Sequence, residues 1–180
     1  MIIAITGRPG IGKSTVCLKV IDLLRNKGFK VGGVICPEIR ECGVRVGFKV
    51  LDLISGKEGL LAHVKYSSPF TVGKYFVQLE SFESVAIPAL EDALNNADVI
   101  IFDEIGPMEL KSKKVLDLLS FISNNVNKPL LIVVHWKIGS SIRNIISGDY
   151  QIFEVTFENR NTLPMLIFKL IVGGLKNGLA

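Results

Sequence analysis

The segment "ITGRPGIGKST", residues 5 to 15, constrains the fold more than any other stretch of the chain. Gly7, Gly12, Lys13 and Ser14 fit the spacing G-x-x-x-x-G-K-[ST], the pattern of a loop that wraps phosphate. Such a loop works between a strand that ends at it and a helix that starts from it. Its glycines let main-chain N–H groups approach oxygen closely, and the helix N-terminus adds further donors. The flanks agree. Met1-Ile2-Ile3-Ala4-Ile5-Thr6 is an apolar run one strand long. Over residues 14 to 26, Val16, Val20, Leu23 and Leu24 share a helical face until Gly28 stops it. "KVGGVICP", 30 to 37, reads as a second strand. Strand, loop, helix, strand is the βαβ unit of a parallel α/β sheet.

The rhythm then changes. Residues 43 to 53, a short run near 60 to 63, and 71 to 80 read as strands separated by turn signals at Ser55-Gly56 and Gly59. Hairpins of this kind are usually antiparallel, so about 40 to 80 is expected to extend the sheet rather than form a second domain. A helix is expected over 84 to 97 with Pro88 in its first turns. "DVIIFDE", 98 to 104, fits a central parallel strand buried on both faces. A helix over 111 to 125, a buried strand "PLLIVVH", a short helix over 139 to 147, a strand "YQIFEVTF" and a helix over 162 to 176 complete the reading. With 180 residues, 48% of them hydrophobic and 21% charged, residues 1 to 180 fit one compact domain.

Bulk properties narrow the function classes. A net charge of +4 suits an anionic ligand but does not call for nucleic acid, and no basic run or RNA-binding motif is present. Cys17, Cys36 and Cys42 make no CxxC pair, and His63 and His135 are far apart, which argues against zinc and for a reducing cytoplasm. "LPMLIFKLIVGGL" is broken by Lys169 and two glycines and is too short for a bilayer, so no membrane association is expected.

A phosphate loop needs an acid at the end of a nearby strand to help hold hydrated Mg²⁺. Asp103 fits that place beside the hydroxyl of Ser14. Lys13 is expected to reach the β- and γ-phosphates. Gly7, Arg8, Pro9, Gly10, Ile11, Gly12, Lys13, Ser14 and Thr15 make the binding loop; Pro9 and Ile11 set its shape and packing, and Arg8 is either a phosphate contact or a solvated charge. Glu104 is placed to orient or deprotonate a water for attack on the γ-phosphate. Glu109 is a further metal or water contact, or an acid favoured near a helix start, the preferred reading.

Taken together, "ITGRPGIGKST", "GGVICPEIRECGVRVGFKVLDL", "VGKYFVQLESFE", "DVIIFDEIGPMEL" and "VTFENRNTLP" resemble the THEP1-type nucleoside-triphosphatases, which include the cancer-related NTPase. The resemblance implies a P-loop NTPase of three-layer αβα architecture, RecA-like, with a mostly parallel sheet, an antiparallel hairpin extension, and one strand between the phosphate-loop strand and the Asp103 strand. It implies Mg²⁺-dependent hydrolysis of ATP, GTP, CTP and UTP with broad base selectivity and slow turnover, with Lys13 and Glu104 catalytic and Ser14 and Asp103 on the metal. Relatives often carry a glycine pair where this chain has Cys42 in "RECGV".

Hydrolysis also needs positive charge near the γ-phosphate. Arg40, Arg45, Lys49, Lys137, Arg143 and Arg160 are candidates, with Arg40 and Arg160 at strand ends; a partner subunit is another source. Asn159 in "ENRN" could offer an amide to the base. Tyr75 and Phe76 read as sheet packing or a base-stacking surface, and Trp136 as nucleotide cover or core cap. Two rival classes stay open: a nucleotide or small-molecule kinase, and a nucleotide-sensing or RNA-associated switch.

Overall fold

The computed structural model describes residues 1–125, 127–146 and 148–177. Among these residues ten strands join one sheet, and four α-helices cover its two faces. The elements that carry the phosphate loop come first: β1 (Ile2–Thr6), α1 (Lys13–Asn26) and β2 (Val31–Ile35). Then follow β3 (Glu38–Glu41), β4 (Val44–Asp52), β5 (Glu58–His63), β6 (Thr71–Val72) and β7 (Tyr75–Val77). The second half holds α2 (Leu79–Asn96), β8 (Val99–Ile105), α3 (Lys113–Asn125), β9 (Leu130–Val134), β10 (Tyr150–Glu154) and α4 (Leu163–Asn177).

The strand order is β10-β1-β9-β8-β2-β4-β5-β7-β6, with β3 paired to β4. β10, β1, β9, β8 and β2 are parallel; every pairing from β2–β4 outward is antiparallel. β9 therefore separates the phosphate-loop strand from the strand of Asp103, the arrangement implied by the resemblance.

The parallel strands alternate between two cores, as a period of two requires when both faces are covered. Ile100 and Phe102 of β8, Ala4 of β1 and Ile132 of β9 pack with Phe82, Leu90 and Leu119 of α2 and α3. Val99 and Ile101, Ile3 and Ile5, and Leu131 and Val133 point the other way, to Val16, Val20 and Leu24 of α1 and Ile167 and Ile171 of α4.

Several boundaries differ from the sequence reading. The segment 71 to 80 is a short hairpin that enters α2 at Leu79, and β3 is an additional strand. Pro88 falls in mid-helix, because α2 begins five residues earlier than expected. A proline there leaves the carbonyl of Ser84 without its helical N–H, and Lys57 Nζ donates to that oxygen at 3.3 Å. Residues Glu109–Lys111 and Gly139–Asn144 form 3₁₀ turns, and residue 147, the expected end of the second, lies outside the described residues.

Candidate functional site

The loop expected to bind phosphate, residues 7 to 15, lies at the C-terminal end of β1, where parallel sheets gather ligands. Gly12 has φ 110°, a left-handed conformation closed to most residues, and α1 starts at Lys13 with no side-chain cap and no acid in its first turn. The first N–H groups of the helix are thus left for a ligand, and the helix end favours an anion. Lys13 is buried beside them.

β8 brings the acids to the same place. Ser14 Oγ donates to Asp103 Oδ1 at 3.3 Å, and Lys13 Nζ stands 3.6 Å from Glu104 Oε2. Burial pushes the carboxyl of Asp103 up to about 7, against the pull of the Ser14 hydrogen bond. Glu109 opens the 3₁₀ turn, as expected of an acid near a helix start. It is also buried, and its Oε2 accepts the Gly106 N–H at 2.9 Å, bracing the loop next to Glu104. Burial, with the Glu104 charge adding, raises its carboxyl to about 8.

Ser14 and Asp103 offer two hard oxygens at one point, a set that suits Mg²⁺ completed by water and phosphate oxygens. Among the described residues no group of three or more His, Cys, Asp or Glu side chains could hold a metal ion.

A cleft of about 800 Å³ runs from this point outward. Its walls include Pro9, Gly10, Gly12, Lys13, Ser14 and Thr15, then Cys36, Asp103, Glu104, Glu109 and His135, and finally Glu38, Arg40, Arg45, Phe48 and Tyr75. A model of the NTPase family matches residues 2–168 of this chain. The nucleoside-triphosphatase THEP1 of Thermofilum pendens is 45% identical over 163 residues, covering 89% of each chain. That of Methanocaldococcus jannaschii is 40% identical over 178 residues, covering 98% of this chain and all of the relative. The crystal structure of THEP1 from the hyperthermophile Aquifex aeolicus superposes with TM-score 0.80 at 33% identity, over 95% of this chain and 99% of the other. The solution structure of a human cancer-related nucleoside triphosphatase gives 0.78, also at 33% identity, over 95% and 97%.

The chain belongs to the THEP1-type nucleoside-triphosphatases. Its fold is the α/β P-loop NTPase fold of that family.

The six basic candidates Arg40, Arg45, Lys49, Lys137, Arg143 and Arg160 of this THEP1-type chain each have a partner. Arg40 and Arg45 line the cleft, and Glu38 holds both, at 2.6 and 2.7 Å. Lys49 pairs with Glu58, Lys137 lies over Trp136, Arg143 donates to Tyr150, and Arg160 lies over the ring of Phe157. Tyr75 packs edge-on against Phe48 and takes a hydrogen bond from Arg45 Nε at 3.1 Å, so it both packs the sheet and lines the cleft. Trp136 stays exposed beside His135.

His135 and Cys36, like Glu38 and Phe48, are wall residues that escaped the sequence reading. His135 is the first residue past β9, between the phosphate loop and Asp103. Its Nδ1 accepts the Lys137 N–H at 3.3 Å, and burial holds its pKa below the usual value. Cys36 is the first residue past β2, in the same row. The signal of His135 and Cys36 was position alone: each follows a buried parallel strand.

Proposed function

We propose that the chain hydrolyses Mg²⁺-bound nucleoside triphosphates of any common base, slowly, to nucleoside diphosphate and phosphate. The observation that carries this reading is the approach of Glu104 to Lys13, 3.6 Å apart across the mouth of the phosphate loop. Lys13 and the N–H groups at the start of α1 bind the β- and γ-phosphates. Ser14 and Asp103 hold Mg²⁺, which when bound neutralises charge on the phosphates and screens the carboxylates from one another. Glu104 orients a water and takes its proton as the water oxygen bonds to the γ-phosphorus and the bond to the β–γ bridging oxygen breaks. Glu109 positions Glu104 through the Gly106 N–H.

Slow turnover follows from the cations. The arginines on the cleft wall, Arg40 and Arg45, are tied to Glu38, so charge at the γ-phosphate rests on Lys13. A cytoplasmic setting fits three free cysteines, and no helix among the described residues is long and apolar enough to cross a membrane. A second reading, transfer to an acceptor, draws on the continuation of the cleft past Glu104 to Arg45 and Tyr75.

The test is phosphate release from ATP, GTP, CTP and UTP with Mg²⁺ and no acceptor, for the natural chain, Lys13→Ala and Glu104→Ala. Release from several triphosphates is expected. Lys13→Ala should abolish it, and Glu104→Ala should lower kcat by roughly 10²- to 10⁴-fold with nucleotide binding retained. Release that appears only with an acceptor would favour transfer.

A further inference from the structure

Nothing in the mechanism above uses the loop after β10, residues 155 to 162, yet this loop is built against the phosphate loop. β10 runs parallel to β1 with Glu154 opposite Thr6, and the Val155 N–H donates to the Thr6 carbonyl at 2.8 Å. A Cβ on Gly7 would stand 3.0 Å from the Val155 carbonyl oxygen. The loop therefore leaves the sheet beside the first residue of the phosphate loop. Strand order fixes its side: from β1, the acids of β8 lie across β9 in one direction, and β10 lies in the other. A triphosphate whose terminal phosphate faces Glu104 carries its sugar and base away from β8, toward this loop.

The loop is held by its own bonds. The Asn159 side chain accepts the Thr156 N–H at 2.9 Å and donates to the Glu154 carbonyl at 2.8 Å. The Asn159 carbonyl accepts from the N–H groups of Thr162 and Leu163 at 2.9 and 2.8 Å. On this frame stands Phe157, 70% exposed, the most exposed large apolar side chain among the described residues. The guanidinium of Arg160 lies 5.0 Å from its ring centroid. An aromatic ring left in water on a braced loop, with a planar cation beside it, is a surface for another flat ring.

We infer that Phe157, with Arg160 stacked on it, is the platform on which the nucleobase of the triphosphate lies. The inference rests on the proposed triphosphatase reading and deepens it. Stacking suits every base, since each has a π-face, and the cation adds to it. Weak selectivity among purines and pyrimidines follows. The side-chain amide of Asn159 gives one N–H and its oxygen to the loop, so these bonds brace the platform.

The test compares nucleotides with a ligand that has no base. Dissociation constants for the Mg²⁺ complexes of ADP, GDP, CDP, UDP and pyrophosphate are measured by calorimetry, on the natural chain, Phe157→Ala and Phe157→Trp. Phe157→Ala should weaken all four nucleotides by roughly 5- to 100-fold. Pyrophosphate should be unaffected, and Phe157→Trp should restore nucleotide affinity. The frame of the loop uses no atom of the Phe157 side chain, so the variants keep it; unchanged pyrophosphate affinity confirms this. Nucleotide binding by the natural chain with unchanged affinity in Phe157→Ala would overturn the platform alone. So would a parallel loss for pyrophosphate, which would mean that the loop acts through the phosphate site. Failure of the natural chain to bind any nucleotide would overturn the triphosphatase reading and the platform together.

Discussion

Burial raises the carboxyl of Glu109 from 4.5 to about 8, and that of Asp103 from 3.8 to about 7. In the metal-free chain each then keeps a proton in the folded state that the unfolded state has lost. The stabilisation is complete below the unfolded values and is lost as pH rises through the folded ones, by at most about 1.4 kcal/mol per pH unit for each group. The urea midpoint of the metal-free chain should therefore fall between pH 5 and pH 8. Glu109→Gln should remove roughly half of that fall; an equal fall in the variant would show that this carboxyl does not set it. A second prediction concerns Cys42, whose φ of 48° is the left-handed conformation at the tip of the β3–β4 hairpin, with Gly43 at 78° beside it. A two-residue turn of this shape favours Asn or Gly in the first place. Cys42→Asn should raise stability by about 1 kcal/mol, read from the denaturation midpoint. At this scale the phosphate loop was legible because its spacing is fixed by phosphate geometry. Glu109 was half legible: its place at a helix start shows in sequence, its burial among acids does not.

Elements were read best where one strand or helix is buried on its own terms. Apolar runs mark β1 up to Ile5, β8 up to Phe102 and the whole of β9, and α1 ends just before Gly28 as its pattern says. The antiparallel extension was harder. β6 and β7 are two and three residues long, too short for periodicity to mark, and α2 carries a proline ten residues in. Local propensity places that proline early; packing of α2 on β2, β4 and β5, with Lys57 on the freed carbonyl, lets the helix run through it. The centre of the sheet yields a sharper test. Gly33 of β2 has φ 101°, and a Cβ there would run into the Ile101 carbonyl oxygen of β8. Gly33→Ala should cost about 3 kcal/mol or more, seen in thermal unfolding. A loss below about 1 kcal/mol would mean that β2 can shift against β8 at little cost.

For the whole molecule, ligand binding and stability are one equilibrium. The candidate site is assembled from the ends of β1, β8 and β9 and the start of α1, so a nucleotide bound there would tie these elements together. Mg²⁺ and a nucleotide at a hundred times its dissociation constant should add about 2.7 kcal/mol. For a chain of this size that is a rise in Tm of roughly 5 to 10 °C. Lys13→Ala should show no such rise; an equal rise in that variant would place the nucleotide elsewhere. The sequence alone determined the βαβ start, the phosphate loop and the acid pair, because each depends on neighbours within a few residues. The tertiary structure decided the rest: that β9 lies between β1 and β8, that Glu104 meets Lys13, that His135 and Tyr75 join one cleft, and that Glu38 holds Arg40 and Arg45. The physical reason is strand order. Contacts across a sheet join residues far apart in the chain, and no local pattern of apolar and polar residues records which strands become neighbours.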